Sequence, residues 1–287
     1  MTTTHGARRD EGTGMHERVS INALSFPGAD MSEMAGNWEA LGARRISFPG
    51  PLLGDDLPLA RRIIADGGHQ LETVSHLFLW GRGIDRDEAT WSAGRDELSR
   101  VIDAVAELGG RSVYMMTGGR GHRGALTWEA AAERFSAGIA PCVAQAEAAG
   151  VRLAIEPAPA LYAENHLPHT LKDTVLLAEM AGLDVCIDIY SSWTESGLEE
   201  TFARAMPRCC LVQVSDYVYG DRSLPSRAVP GDGAIPLPQI IGWLLAAGYT
   251  GGFDLELIGP RIEREGCLAA NRRAADEVGR ILSAHNA

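Results

Sequence analysis

Long apolar runs are missing from this chain of 287 residues. None approaches the roughly 20 residues that a membrane helix needs. Positive charge is also scarce: 26 Lys and Arg face 38 Asp and Glu, for a net charge of −12. That balance argues against nucleic acid, which asks for a basic stripe, and against an anionic membrane surface. The five cysteines are odd in number, and Cys209 and Cys210 are adjacent. Most fall in apolar runs, which reads as buried thiols in a reducing cytoplasm and neither a disulfide frame nor a zinc site. Residues 1–16 are polar and rich in Gly and Thr, with no apolar signal-peptide core. They read as a disordered leader, and residues 17–287 as the catalytic domain.

What is present is a repeat of strand and helix patterns. Strand-like stretches begin at Val19, Arg45, Leu71, Ser112, Val151, Asp184, Cys210 and Phe253, and a helical pattern follows each. The helices are expected over Met31–Leu41, Leu57–Asp66, Asp87–Leu108, Trp128–Ala149, Leu171–Ala181, Leu198–Ala205, Leu237–Ala247 and Cys267–His285. Strands alternating with helices imply right-handed crossovers and a parallel sheet. Eight such units without a linker or composition shift fit one closed (β/α)8 TIM barrel of the α/β class. Three loops have room for function, Gly118–Leu126, Ala158–Thr170 and Tyr217–Pro236, and each follows a strand.

The stretch Val151–Pro157, V-R-L-A-I-E-P, shows the chemistry most plainly. It is a short apolar run closed by the carboxylate of Glu156 and stopped by Pro157, and ligands of parallel α/β proteins bind at that end of a strand. The design recurs with Asp188 in V-C-I-D, Gln213 in L-V-Q-V and Glu256 in F-D-L-E. Neighbouring strands would bring the four side chains to one point. Three carboxylates together repel, and a divalent cation removes the repulsion. An all-oxygen set, with Gln213 binding through its carbonyl, suits Mg²⁺ or Mn²⁺ better than Zn²⁺. The competing reading is four unrelated strand-end polar residues.

The segments I-E-P at 155–157, C-I-D at 186–188, V-Q-V-S-D at 212–216, P-G-D-G at 230–233 and G-Y-T-G-G-F-D-L-E at 248–256 resemble, in order, the xylose isomerase-like TIM-barrel superfamily of sugar phosphate isomerases and epimerases. The resemblance covers about Ser20 to Leu282. It implies a Mn²⁺, Mg²⁺ or Co²⁺ site in which Glu156, Asp188 and Glu256 match three ligands, with Gln213 where the family usually has histidine. It also implies that Glu156 and Glu256 move the proton on opposite faces of a carbohydrate-like substrate, through a metal-stabilised enediolate. His76, Arg227 and the position of Ser191 resemble substrate contacts, although relatives often carry histidine in the place of Ser191. Trp80 walls the pocket or belongs to the core, His76 contacts substrate or is structural, and Asp216 supports the site or caps its loop.

The expected activity is isomerisation or epimerisation of a keto- or aldo-sugar. A lyase of the same fold is the alternative: a keto-cyclitol or dehydroshikimate-type dehydratase, or a 3-keto-glycoside-cleaving subunit. Endonuclease IV-like DNA repair enzymes share the superfamily but need a histidine-rich zinc site and a DNA-binding face. A non-catalytic binding barrel would hold no metal. Relatives are often dimers or tetramers, so a homo-oligomer is expected. Gly119-x-Gly121-x-x-Gly124 spells a dinucleotide fingerprint, but in the fourth unit and crowded by Arg120, His122 and Arg123, which suits a basic loop better.

Overall fold

In a computed structural model, describing residues 14–122 and 126–287, the chain closes into an eight-stranded parallel barrel of strand order β1 to β8. Most of the leader and the third glycine of the G-x-G-x-x-G run, Gly124, lie outside the described residues. The strands are β1 (Val19–Ile21), β2 (Arg45–Pro49), β3 (Gln70–Leu77), β4 (Ser112–Met116), β5 (Arg152–Ile155), β6 (Asp184–Asp188), β7 (Cys209–Val214) and β8 (Phe253–Leu255). The helices are α1 (Met31–Leu41), α2 (Gly50–Asp55), α3 (Leu57–Gly67), α4 (Glu88–Glu107), α5 (Trp128–Ala149), α6 (Leu171–Ala181), α7 (Ile189–Ser192), α8 (Leu198–Ala205), α9 (Leu237–Ala246), α10 (Pro260–Glu265) and α11 (Cys267–Ala284).

Local signals set the helix ends. Asp30 forms a capping box with Glu33 at the start of α1, and Asp87, Thr127 and Thr170 cap α4, α5 and α6 through side-chain oxygens. Gly42, Gly68, Gly150 and Gly182 end helices in the left-handed conformation that glycine adopts most easily. Three short helices, α2, α7 and α10, were not expected from sequence. Each spans four to six residues, too few for a periodic pattern.

Alternate strand residues face outward into the main core, among them Phe48, Val74, Ile155, Ile187 and Val214. The barrel interior holds a separate small apolar layer of Tyr114, Ala154, Cys186 and Leu211. Above that layer the inward positions turn polar, which is where a site can form. All five cysteines are free. Among the described residues, no helix is long and apolar enough to cross a membrane.

Candidate active site

The register of the last four strands decides which side chains meet. Asp188 pairs in register with Gln213, and Gln213 with Asp254, so these positions share one level of the barrel wall. Glu156 and Glu256 follow the last residues of β5 and β8, and all four side chains reach the carboxyl end of the barrel. Gln213 Nε2 donates to Glu256 Oε2 at 2.5 Å, while its Oε1 accepts from the Cys186 thiol at 3.3 Å. Glu156, Asp188 and Glu256 line one pocket with Arg227, Ser191, Tyr190 and Trp80.

Arg227 is the positive centre of this pocket. Its guanidinium donates to both oxygens of Asp188 at 3.1 and 3.0 Å, contacts Glu256 Oε1 at 3.0 Å, and reaches Ser215 Oγ at 3.1 Å. The Tyr190 ring covers it, 4.7 Å from the guanidinium carbon. Burial works against that charge, but the carboxylates around it outweigh burial and hold Arg227 protonated. Burial is also the main reason that Glu156 and Glu256 bind a proton more tightly than usual. The charges of neighbouring carboxylates add to it, although Arg227 opposes the effect on Glu256. Glu256 is pushed up to about 7 and Glu156 well above its ordinary value.

Two residues hold the frame. Asp216 accepts from the backbone N–H groups of Tyr217, Gly231, Gly233 and Ile235 at 2.8–3.0 Å, pinning both ends of the loop that carries Arg227. A side chain at Gly233 would run into the Asp216 carboxylate, which explains the glycine of P-G-D-G. Asp216 therefore acts on the loop and is absent from the pocket lining. His166, which sequence reasoning missed, accepts from Thr117 N through Nδ1 at 3.0 Å. A backbone N–H can only donate, so Nε2 carries the proton and donates to the Glu156 carbonyl at 2.6 Å. Burial lowers its pKa to about 3, so the ring stays neutral and fixes the backbone at Glu156.

The remaining expected contacts divide. Trp80 lines the pocket and pairs with the Tyr162 ring at 6.1 Å. Ser191 donates to Asp188 Oδ2. His76 does not join them: it lines a cavity of about 300 Å³ between α2 and α4, with Gly50, Leu53 and Val101. The cause is a register shift between β2 and β3, where Ile46 pairs with Leu71 but Ser47 with Thr73. One extra residue reverses the alternation, turning His76 outward and bringing Leu77 to the pocket. Tyr190 and Ser215 were also missed; both sit within two residues of a strand-end polar side chain. Gly119 is explained by packing, since a side chain there would collide with the Ala163 and Glu164 carbonyls.

The family model of the xylose isomerase-like TIM barrel matches residues 28–282. The chain belongs to the xylose isomerase-like TIM-barrel family. Among solved structures it is similar to protein SMc04130 from Sinorhizobium meliloti 1021, at 25% identity and a TM-score of 0.82 over 92% of this chain and 98% of that one. It is similar in fold to L-ribulose 3-epimerase, at 21% identity and a TM-score of 0.77 over 94% of this chain and 95% of that one. It is likewise similar to IolI, crystallised with a bound zinc atom, at 16% identity and a TM-score of 0.77 over 93% and 98% of the two chains. No curated protein sequence matches the chain.

Among the described residues, no three His, Cys, Asp or Glu side chains stand in a ligating arrangement. Asp188 is committed to Arg227, Ser191 and the Tyr190 N–H, and Gln213 presents its N–H to Glu256. Ligation through the Gln213 oxygen requires the amide to turn, releasing the bonds to Glu256 and Cys186. The donors nevertheless suit a hard divalent ion in type and charge. They are oxygen-bearing side chains at adjacent strand ends, and the crowded carboxylates repel in a way a cation relieves.

Proposed function

We propose that this family member is a sugar isomerase or epimerase that moves a proton on the carbon beside a carbonyl of a polyhydroxy substrate. The observation that carries the reading is the pair of buried carboxylates, Glu156 and Glu256, facing one pocket with raised proton affinity. A general base works best when its pKa lies near the operating pH, and burial moves Glu256 toward that value. Glu256 or Glu156 takes the α-proton, and the other returns one from the opposite side. Arg227 stabilises the negative charge that develops on the substrate oxygen, with Tyr190 shielding it from water. The Gln213 N–H holds Glu256 in position. Glu156, Asp188, Gln213 and Glu256 would hold a divalent metal, Mn²⁺ or Mg²⁺ before Co²⁺, which would polarise the carbonyl as a Lewis acid.

Incubation with a panel of ketoses and aldoses in D2O, followed by NMR, tests this reading. Wild type is expected to exchange one carbon-bound hydrogen for deuterium in at least one sugar and to yield an isomer of equal mass. Glu156→Gln and Glu256→Gln should both lose that exchange. Loss of water from the product would replace the isomerase by a lyase acting through the same first step. No exchange with any substrate would overturn the reading.

A further inference from the structure

The pocket that holds the carboxylates is small, about 190 Å³, or the room of about six waters at roughly 30 Å³ each. Cavities for larger ligands run to roughly 300–1,000 Å³. One sugar-sized unit fills it, and anything larger must extend through the mouth.

That mouth is unexpectedly apolar. Among the described residues seven large hydrophobic side chains are exposed, and five of them, Leu77, Trp80, Leu161, Tyr219 and Leu224, stand at the carboxyl end of the barrel. Tyr219 and Leu161 are the most exposed, at 74% and 71%. Leu77, Trp80 and Leu224 line the same cavity as Glu156 and Arg227, so the apolar surface is continuous with the site. The charged groups come only from β5 to β8 and the loop before α9, whereas apolar residues line the cavity all round, with Leu77, Trp80 and Met116 from β3, β4 and the turn after β3 forming a wall without a charge. A polyhydroxy group pressed against that wall would leave hydroxyls without partners, which opposes binding. Trp80 and Tyr162, 6.1 Å apart and tilted by 52°, present two aromatic faces at the entrance. Aromatic groups are held well in such offset geometries.

Resting on the function proposed above, we infer that the substrate is amphipathic: a keto-sugar head on Glu156, Glu256 and Arg227, bearing an aromatic substituent held by Trp80 and Tyr162. The occupant of the apolar mouth is thus part of the substrate, because the mouth and the reacting groups share one cavity. A second copy of the chain seated there would instead close the entrance to any substituent.

Methyl and phenyl 3-keto-β-D-glucopyranosides present the same head with and without the aromatic group. Their exchange with D2O should differ, the phenyl compound giving a kcat/KM about tenfold or more above the methyl compound. The preference should collapse in Trp80→Ala, whose retained exchange with the methyl compound shows that it folds, and persist in Trp80→Phe. Equal rates for the two glycosides, or exchange with free ketoses alone, would overturn this inference and leave the proposed function standing. A preference unchanged in Trp80→Ala would overturn it too. Exchange with none of the sugars would remove the function, and the inference with it.

Discussion

The two ends of the barrel handle charge in opposite ways. At the amino end the buried charges meet local partners. Arg45 meets the buried Glu72 at 2.6 Å, Arg152 forms an ion pair with Asp184, and Arg18 donates to the Tyr249 and Gly251 carbonyls while stacking over Phe253. At the carboxyl end three carboxylates share Arg227, and burial and mutual repulsion raise the proton affinity of two of them. A matched network favours the fold; a crowded one of a single sign is kept where it serves a ligand. This is the division of a TIM barrel into a stability face and a catalytic face, written in side chains.

Substitutions at the two ends should therefore fail differently. The largest effect is expected at the carboxyl end: Glu156→Gln and Glu256→Gln should lower kcat by about 10²–10⁴-fold, the usual contribution of a positioned acid or base. Thermal stability should not fall, since the glutamine lacks the cost of a buried carboxylate, and a fall in Tm matching the loss of activity would contradict the assigned roles. Asp216→Ala removes the acceptor for four backbone donors. It should cost about 3 kcal/mol of stability, judged by denaturant unfolding, and weaken substrate binding through Arg227. Glu72→Gln, at the other end, should cost about 2 kcal/mol and leave kcat as in wild type; a catalytic defect there would blur the division between the faces.

The last effect concerns pH. Glu256 binds its proton more tightly in the folded state, about 7 against an ordinary 4.5. Between those values the native protein keeps a proton that the unfolded chain has lost, so this group makes stability fall as pH rises. Metal-free Glu256→Gln lacks that penalty. Its stability relative to metal-free wild type should rise from pH 4.5 to about 7 and level off above. Comparing two proteins that share every other titrating group isolates the effect. His76 and His166 bind protons more weakly in the fold and act with the opposite sign. A constant difference across that range would place Glu256 in an ordinary solvated environment.

Most of the architecture was legible because most strands hold a short apolar run and helices such as α1, α5 and α6 have both a polar cap and a glycine stop. Helices α1, α5, α6 and α8 begin and end where the pattern placed them. The strand-end positions of Glu156, Asp188 and Glu256 were legible for the same reason, a carboxylate being conspicuous after an apolar run. His76 was not, because one unpaired residue on β3 reverses which side chains face inward, and no periodicity reveals such a shift. The hold of Arg227 on Asp188 was hidden as well. The two residues are 39 apart in sequence, and their contact depends on a loop that Asp216 folds back.

The claim that Glu156, Asp188, Gln213 and Glu256 act as one centre is tested most directly by titrating Mn²⁺ into chelator-treated protein and following the heat of binding. Wild type is expected to take up one Mn²⁺ per chain, and the Glu156→Ala/Glu256→Ala double variant none. Absence of binding in wild type, or undiminished binding in the double variant, would contradict a shared metal-holding centre at the carboxyl end of the barrel.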